Sequence, residues 1–234
     1  MIKYTVMDKC LSFILPLIIF FLPISAYAAP CYGTRMPSKH EFFSGLEAYL
    51  IFERELEKDQ GKVRSSQSFF LISYGIFDWL SLDLKIGAGG IRRYGAAADN
   101  IDYSARFDGG YGFRMRLYEK DKLRLVTGFQ HISVHPETVR SNGKKYKAVL
   151  DDWQVSLLGS YDFSFITPYL GTRLSRTDYI NWIDNNRKRH MSDTGKSAGL
   201  ITGIDIAVTD KMWINAEASF FDSEALAISL NARF

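Results

Sequence analysis

The stretch ALAISLNARF, Ala225–Phe234, carries the reading on which the fold turns. Counting back by twos gives Phe234, Ala232, Leu230, Ile228 and Leu226, one continuous apolar face. Ala227, Ser229, Asn231 and Arg233 fall between them and are small or polar. Period two is the signature of a strand with unlike faces. The stretch LSLDLKIGAGG, Leu80–Gly90, repeats the pattern with charges: Leu82, Leu84 and Ile86 on one side, Asp83 and Lys85 on the other. In a soluble sandwich the leucines line a core and the charges face water. In a membrane barrel the leucines touch lipid and the charges face the bore.

The same alternation predicts ten strands, eight to twelve at the limits: residues 42–56, 68–77, 79–89, 103–118, 123–134, 149–163, 166–177, 199–208, 212–220 and 225–234. The fifth alternates poorly and has the weakest register. The connections alternate in length. Tight turns (Asp78, EKDK at Glu119–Lys122, Ser164-Phe165, Thr209–Lys211) lie between longer segments at 57–67, 90–102, 135–148 and 178–198. Only the final connection, residues 221–224, is short where a long one is due. Short turns at one end and long loops at the other suit a transmembrane barrel. A Greek-key sandwich has no reason for this rhythm. Aromatic residues make up 15% of the chain, and several flank the turns: Phe77, Trp79, Tyr118, Phe163, Phe165, Phe220 and Phe234. Such rings favour the headgroup level of a bilayer.

The first residues indicate export. Lys3 and Lys9 precede the apolar run Leu11–Ser25, and Ala26-Tyr27-Ala28 follows, the plan of a signal peptide cleaved after Ala28. The expected organisation is therefore a signal peptide (1–28), a periplasmic tail (29–41) and a barrel (42–234). Cleavage removes Cys10 and leaves Cys31 alone, so no internal disulfide forms. A net charge of +3 and 24% charged residues argue against disorder and against a nucleic-acid partner.

With its signal peptide, turn–loop rhythm and a last strand ending in Phe234, the chain resembles the bacterial outer-membrane β-barrel proteins. The resemblance covers residues 42–234 plus the signal peptide. It implies a closed antiparallel up-and-down barrel in the outer membrane, a monomer, and reading of the Phe234 strand by the barrel-assembly machinery.

Alternation then assigns the charges. Glu47, Glu53, Asp83, Lys85, Arg106, Asp108, Arg114, Arg116, Arg173, Asp205, Glu217 and Arg233 are expected in the bore, with Arg124, Asp152 and Asp162. Acids and bases are nearly balanced, which favours a network filling the bore over a one-signed ion path. Ten strands leave little space beyond side chains. A structural or surface-interaction role is expected, with a narrow passage as the sharper variant. The long loops are basic, above all at Arg187, Lys188 and Arg189 and at Lys144 and Lys145, and would meet lipopolysaccharide phosphates. The rival function is a hydrolase at the rim, omptin-like or acting on lipid, built on His131, Ser133, His135 and Asp152. No cofactor motif is present. His131 and His135 lie about a dozen Å apart on an extended strand, too far to share a metal.

Overall fold

The computed structural model describes residues 30–95 and 100–234. The signal-peptide segment lies outside them. Thirteen strands form one antiparallel sheet among the described residues. Ten of these build the wall: β1 (Phe42–Glu55), β2 (Lys62–Phe77), β3 (Leu80–Tyr94), β5 (Phe107–Lys120), β6 (Leu123–His135), β8 (Lys144–Tyr161), β9 (Ile166–Ile183), β11 (Ala198–Ala207), β12 (Met212–Phe220) and β13 (Glu224–Arg233). Each pairs with the next, and β13 returns to β1, with Leu46 opposite Leu230. The sheet is therefore a closed up-and-down barrel with no free edge. Three short strands, β4 (Ile101–Tyr103), β7 (Val139–Ser141) and β10 (Asn186–Met191), extend the loop end.

The wall strands run further toward the loops than alternation predicts. β2 starts at Lys62, β8 at Lys144, and β9 reaches Ile183. Hairpins carry the ladders onward: β7 turns into β8 through Asn142-Gly143, both at positive φ (50° and 74°), as a two-residue hairpin turn requires. β9 folds back onto β10 through Asp184-Asn185, with Asp184 at φ 54°.

The faces of LSLDLKIGAGG are settled. Leu82, Leu84 and Ile86 are 49%, 57% and 57% exposed, whereas Asp83 and Lys85 are each 3% exposed. Leu46, Leu157, Leu170, Leu174 and Leu230 continue the exposed apolar surface around the barrel. A contiguous apolar belt of this extent is far beyond what a soluble monomer leaves to water.

The polarity of the wall reverses at one level. On β8, Trp153, Val155 and Leu157 point out while Gln154 and Ser156 are buried inside. Toward the loops the same strand buries Tyr146, Ala148 and Leu150 and turns Lys145, Lys147 and Asp151 outward. β6 makes the same change, with Ile132 and Val134 inside and His131, Ser133 and His135 on the outer face. The inner apolar residues Tyr49, Ile51, Val63, Phe69, Ile91, Ile132, Val134, Leu150 and Tyr179 form one cluster that caps the bore at the loop end. The lower storey is built for lipid outside, the upper for water outside. Between Trp153 and Tyr161 the strand rises about 26 Å, or about 20 Å along the axis at a tilt of about 40°, close to an outer-membrane apolar band. The apolar cap was not legible as such, because the expected inward set contained only charges and glycines.

The segment expected as a periplasmic tail lies in the bore instead. Residues 30–34, Met36 and Pro37 are buried, and the chain emerges at Ser38–His40 on the turn end. A barrel of this size holds one extended peptide where its wall side chains are small, and this wall supplies glycines. At Gly75 an added Cβ would run into the backbone carbonyls of Pro37 and Ser38, where that segment leaves the bore.

Candidate functional site

Two constellations concentrate the chemistry: the network inside the bore and a polar cluster on the outer wall.

The bore network is built around the inserted segment. Arg114 on β5 donates to both carboxylate oxygens of Asp83 on β3 at 2.8 and 2.9 Å, a bidentate pair. The same guanidinium donates to the carbonyls of Arg35 (2.7 Å) and Tyr32 (3.3 Å). Gln130 donates to Asp83 at 3.0 Å. The Cys31 amide donates to Glu217 at 2.7 Å, and the Tyr169 hydroxyl donates to the other Glu217 oxygen at 2.9 Å. Lys85 pairs with Glu47 and sits 3.9 Å from the Tyr32 ring centre, a cation–π contact. Arg35 approaches Asp205 at 3.7 Å, and Gln154 donates to the Pro30 carbonyl at 3.2 Å. Buried backbone groups need such partners, and the wall provides them.

Above this layer Arg173 donates to Asp222 through Nε (2.7 Å) and Nη2 (3.0 Å) and to Gln154 at 3.0 Å. Arg54 donates to Ser175 (2.9 Å), Ser192 (3.1 Å) and Asp222 (3.4 Å). Neither Arg54 nor Asp222 belongs to the expected set. A bulge in β1 between Ile51 and Arg54 shifts the pairing, so Arg54 turns inward where Glu53 is expected. Glu53 instead lies at the loop end against Lys62 and Tyr94. Asp222 sits in the short final connection, which dips into the bore.

Of the expected bore charges, Glu47, Asp83, Lys85, Asp108, Arg114, Arg173, Asp205 and Glu217 are buried inside, as is Asp152. Arg106 is exposed, because it precedes β5 and lines an outer cleft. Arg116 pairs with Glu119, Arg124 with Glu119 and Asp162, and Arg233 donates to the Asp210 carbonyl. These line an open vestibule of about 680 Å³ at the turn end, below the network. Arg187, Lys188 and Arg189 are exposed along β10, with Arg189 paired to Asp178; Lys144 is exposed and Lys145 half-buried. Phe77, Trp79, Tyr118, Phe163, Phe165 and Phe234 ring the turn end, where Phe42 stacks on Phe234 at 5.1 Å. Phe220 belongs to the opposite rim, since it ends β12 at the loops.

The outer cluster differs from the expected one in its acid. Asp152 points into the bore, where Thr177 donates to it at 2.8 Å. His131, Ser133 and His135 lie on the outer face of β6, on the other side of the wall. Their acid is Asp151, paired across the ladder with Ser133. The Ser133 hydroxyl is hydrogen-bonded to Asp151 and stands 2.9 Å from His135 Nε2. His131 Nε2 is 3.9 Å from Asp151 Oδ1, and its ring lies tilted by 34° against Trp153, with centres 3.8 Å apart. The row Tyr111–His131–Trp153–Arg176 crosses four strands at the level where the wall changes polarity. The period-two rule itself identifies Asp151: in its register with β6, odd positions of β8 face outward. Among the described residues no His, Cys, Asp or Glu group is arranged to hold a metal ion.

A closed sheet with an apolar belt outside and paired charges inside admits one description. The chain has the fold of an outer-membrane β-barrel. No family model matches the chain, and no curated protein matches it in sequence. Solved structures similar to it include the transport unit of the autotransporter AIDA-I from Escherichia coli (TM-score 0.48, 10% identity, covering 88% of this chain and 92% of that one). Another is Ail, the attachment invasion locus protein of Yersinia pestis (TM-score 0.43, 8% identity, 85% and 100%). A third is the outer membrane protease OmpT of Escherichia coli (TM-score 0.41, 8% identity, 83% and 97%). At these scores and identities none of their activities transfers to this chain.

Proposed function

We propose that the protein is a sealed, monomeric outer-membrane barrel that acts at its outer rim rather than as a passage. The observation that carries this is the filled bore: an inserted peptide, a hydrogen-bonded charge network and an apolar cap stand in series along the axis. A space of about 10 Å³ within the network, beside Tyr32, Arg114 and Asn215, is at the limit of what a single water needs. In this reading the signal peptide is removed after Ala28, the Phe234 strand is read during assembly, and the loops stand outside the cell. Arg187, Lys188, Arg189, Lys144 and Lys145 then face lipopolysaccharide phosphates, for which guanidinium and ammonium groups are natural partners.

Planar-bilayer recording tests the sealed bore. The intact barrel is expected to be silent, and a variant lacking residues 30–37 to open discrete conductance steps. Conductance in the intact protein overturns the reading. Fractionation of cells tests the location: recovery in the outer membrane, with heat-modifiable migration on gels, is expected.

A further inference from the structure

We propose that Ser133, His135 and Asp151 form a hydrolytic site for acyl esters of phosphate-bearing lipids, presented on the outer wall at the membrane boundary. Three independent features of the structure meet there. The first is the hydrogen-bonded cluster itself, with Ser133 Oγ held between Asp151 and His135 Nε2. The hydroxyl donates to Asp151 and its oxygen stands next to the imidazole, so the serine is placed beside a base and a fixed negative charge. The second is depth. The residues just below the cluster on the same outer face are Tyr111, Phe129, His131 and Trp153, in mutual ring contact. Below these come Val155 and Leu157, in the apolar belt. An ester at the junction of headgroup and acyl chain reaches this level without leaving the bilayer.

The third is an adjoining cleft of about 840 Å³ on the outer surface, lined in part by His135, Arg106, Phe107, Lys147, Val149 and Trp182. Two exposed cations beside apolar and aromatic walls fit a phosphate attached to an acylated body. His135 belongs both to the cleft and to the cluster, which joins recognition to chemistry. Arg106 and Lys147 have no role in the bore, and a solvated surface does not require the apolar walls beside them.

The step balances without a cofactor. His135 Nε2 takes the Ser133 proton as Oγ bonds to the ester carbonyl carbon. The carbon–alkoxide bond breaks, and the leaving oxygen takes the proton from His135. Water then attacks the acyl-serine, giving its proton to His135. The Oγ–carbon bond breaks, the fatty acid departs, and the proton returns to Ser133. The Asp151 carboxylate beside the serine oxygen offsets the charge of the imidazolium formed in each half.

The site rests on the membrane placement proposed above, which fractionation tests by itself. For the site, the purified full chain is mixed in detergent micelles with phosphatidylglycerol and phosphatidylethanolamine in one arm and with lipopolysaccharide in the other. Free fatty acid is then measured. Release in either arm is expected, and the arm that responds identifies the source of the ester. Ser133→Ala and His135→Gln are each expected to lower the rate about 100-fold or more. Both changes lie on the outer wall, and heat-modifiable migration confirms that the variants fold. A membrane-located, folded protein that releases no fatty acid in either arm overturns the site, as does a rate unchanged in Ser133→Ala.

Discussion

Asp222→Asn isolates the energetics of the bore. Asp222 receives Nε and Nη2 of Arg173, a bond from Ser175 and a longer contact from Arg54. Arg173, Arg54 and Asp222 are all at most 2% exposed, so no water replaces the lost charge. The amide keeps the shape and one acceptor oxygen but takes from two buried guanidinium groups the carboxylate that both contact, leaving Asp152 as the nearby anion. Breaking a buried pair from one side costs about 3–5 kcal/mol. That lowers the folded-to-unfolded ratio by roughly 10²–10⁴. Urea-induced unfolding in micelles, followed by tryptophan fluorescence and by heat-modifiable migration, reads the change as a drop in midpoint at constant slope. The paired replacement Arg173→Met with Asp222→Leu is expected to recover part of the loss, because both buried charges of the bidentate pair are then gone; Arg54 keeps Ser175 and Ser192. A loss below about 0.5 kcal/mol in Asp222→Asn would refute the reasoning. It would mean that the upper bore is hydrated and the charges are solvated separately.

Cys31 is 2% exposed, so a maleimide is expected to leave the folded, processed protein unlabelled and to label it fully after boiling; fast labelling of the folded barrel would place the segment outside the bore. His190 on β10 has its basicity lowered, first by burial and then by Arg93 and Lys188 nearby. Its fold-bound form is the neutral one, so the β9–β10 hairpin is expected to keep its stability above about pH 6.5 and lose some as pH falls below it. Amide exchange at Tyr179 and His190 measured across that range checks the sign, and greater protection at low pH would contradict it.

The barrel was legible because period two survives wherever lipid presses on one face. Leu82, Leu84 and Ile86 could not be exchanged for polar residues without cost, so the pattern stayed clean. At Lys62–Gln67 and Lys144–Ala148 both faces meet mixed surroundings, the alternation fades, and strands read as loops. The bulge after Ile51 defeated a parity count, which assumes one residue per step; it exchanged the places of Glu53 and Arg54. The inserted segment left no periodic trace, because PCYGTRM is held by its backbone through Arg114, Glu217 and Gln154 rather than by an apolar face. The outer cluster was half legible: His131, Ser133 and His135 were in hand, and only the side of the wall taken by Asp152 separated the expected site from the observed one.

The change of polarity partway up the wall also acts as a depth gauge. Sinking the barrel by two residues would carry Ser133, Asp151, Asp178 and Arg176 toward hydrocarbon, at about 2–4 kcal/mol for an arginine alone at the midplane. Raising it by as much would lift Phe113, Phe129, Val155 and Leu174, the row just below, out of the hydrocarbon. Both displacements are uphill, so the bilayer holds the molecule at one height. That height keeps the row from Tyr111 to Arg176 level with the lipid headgroups.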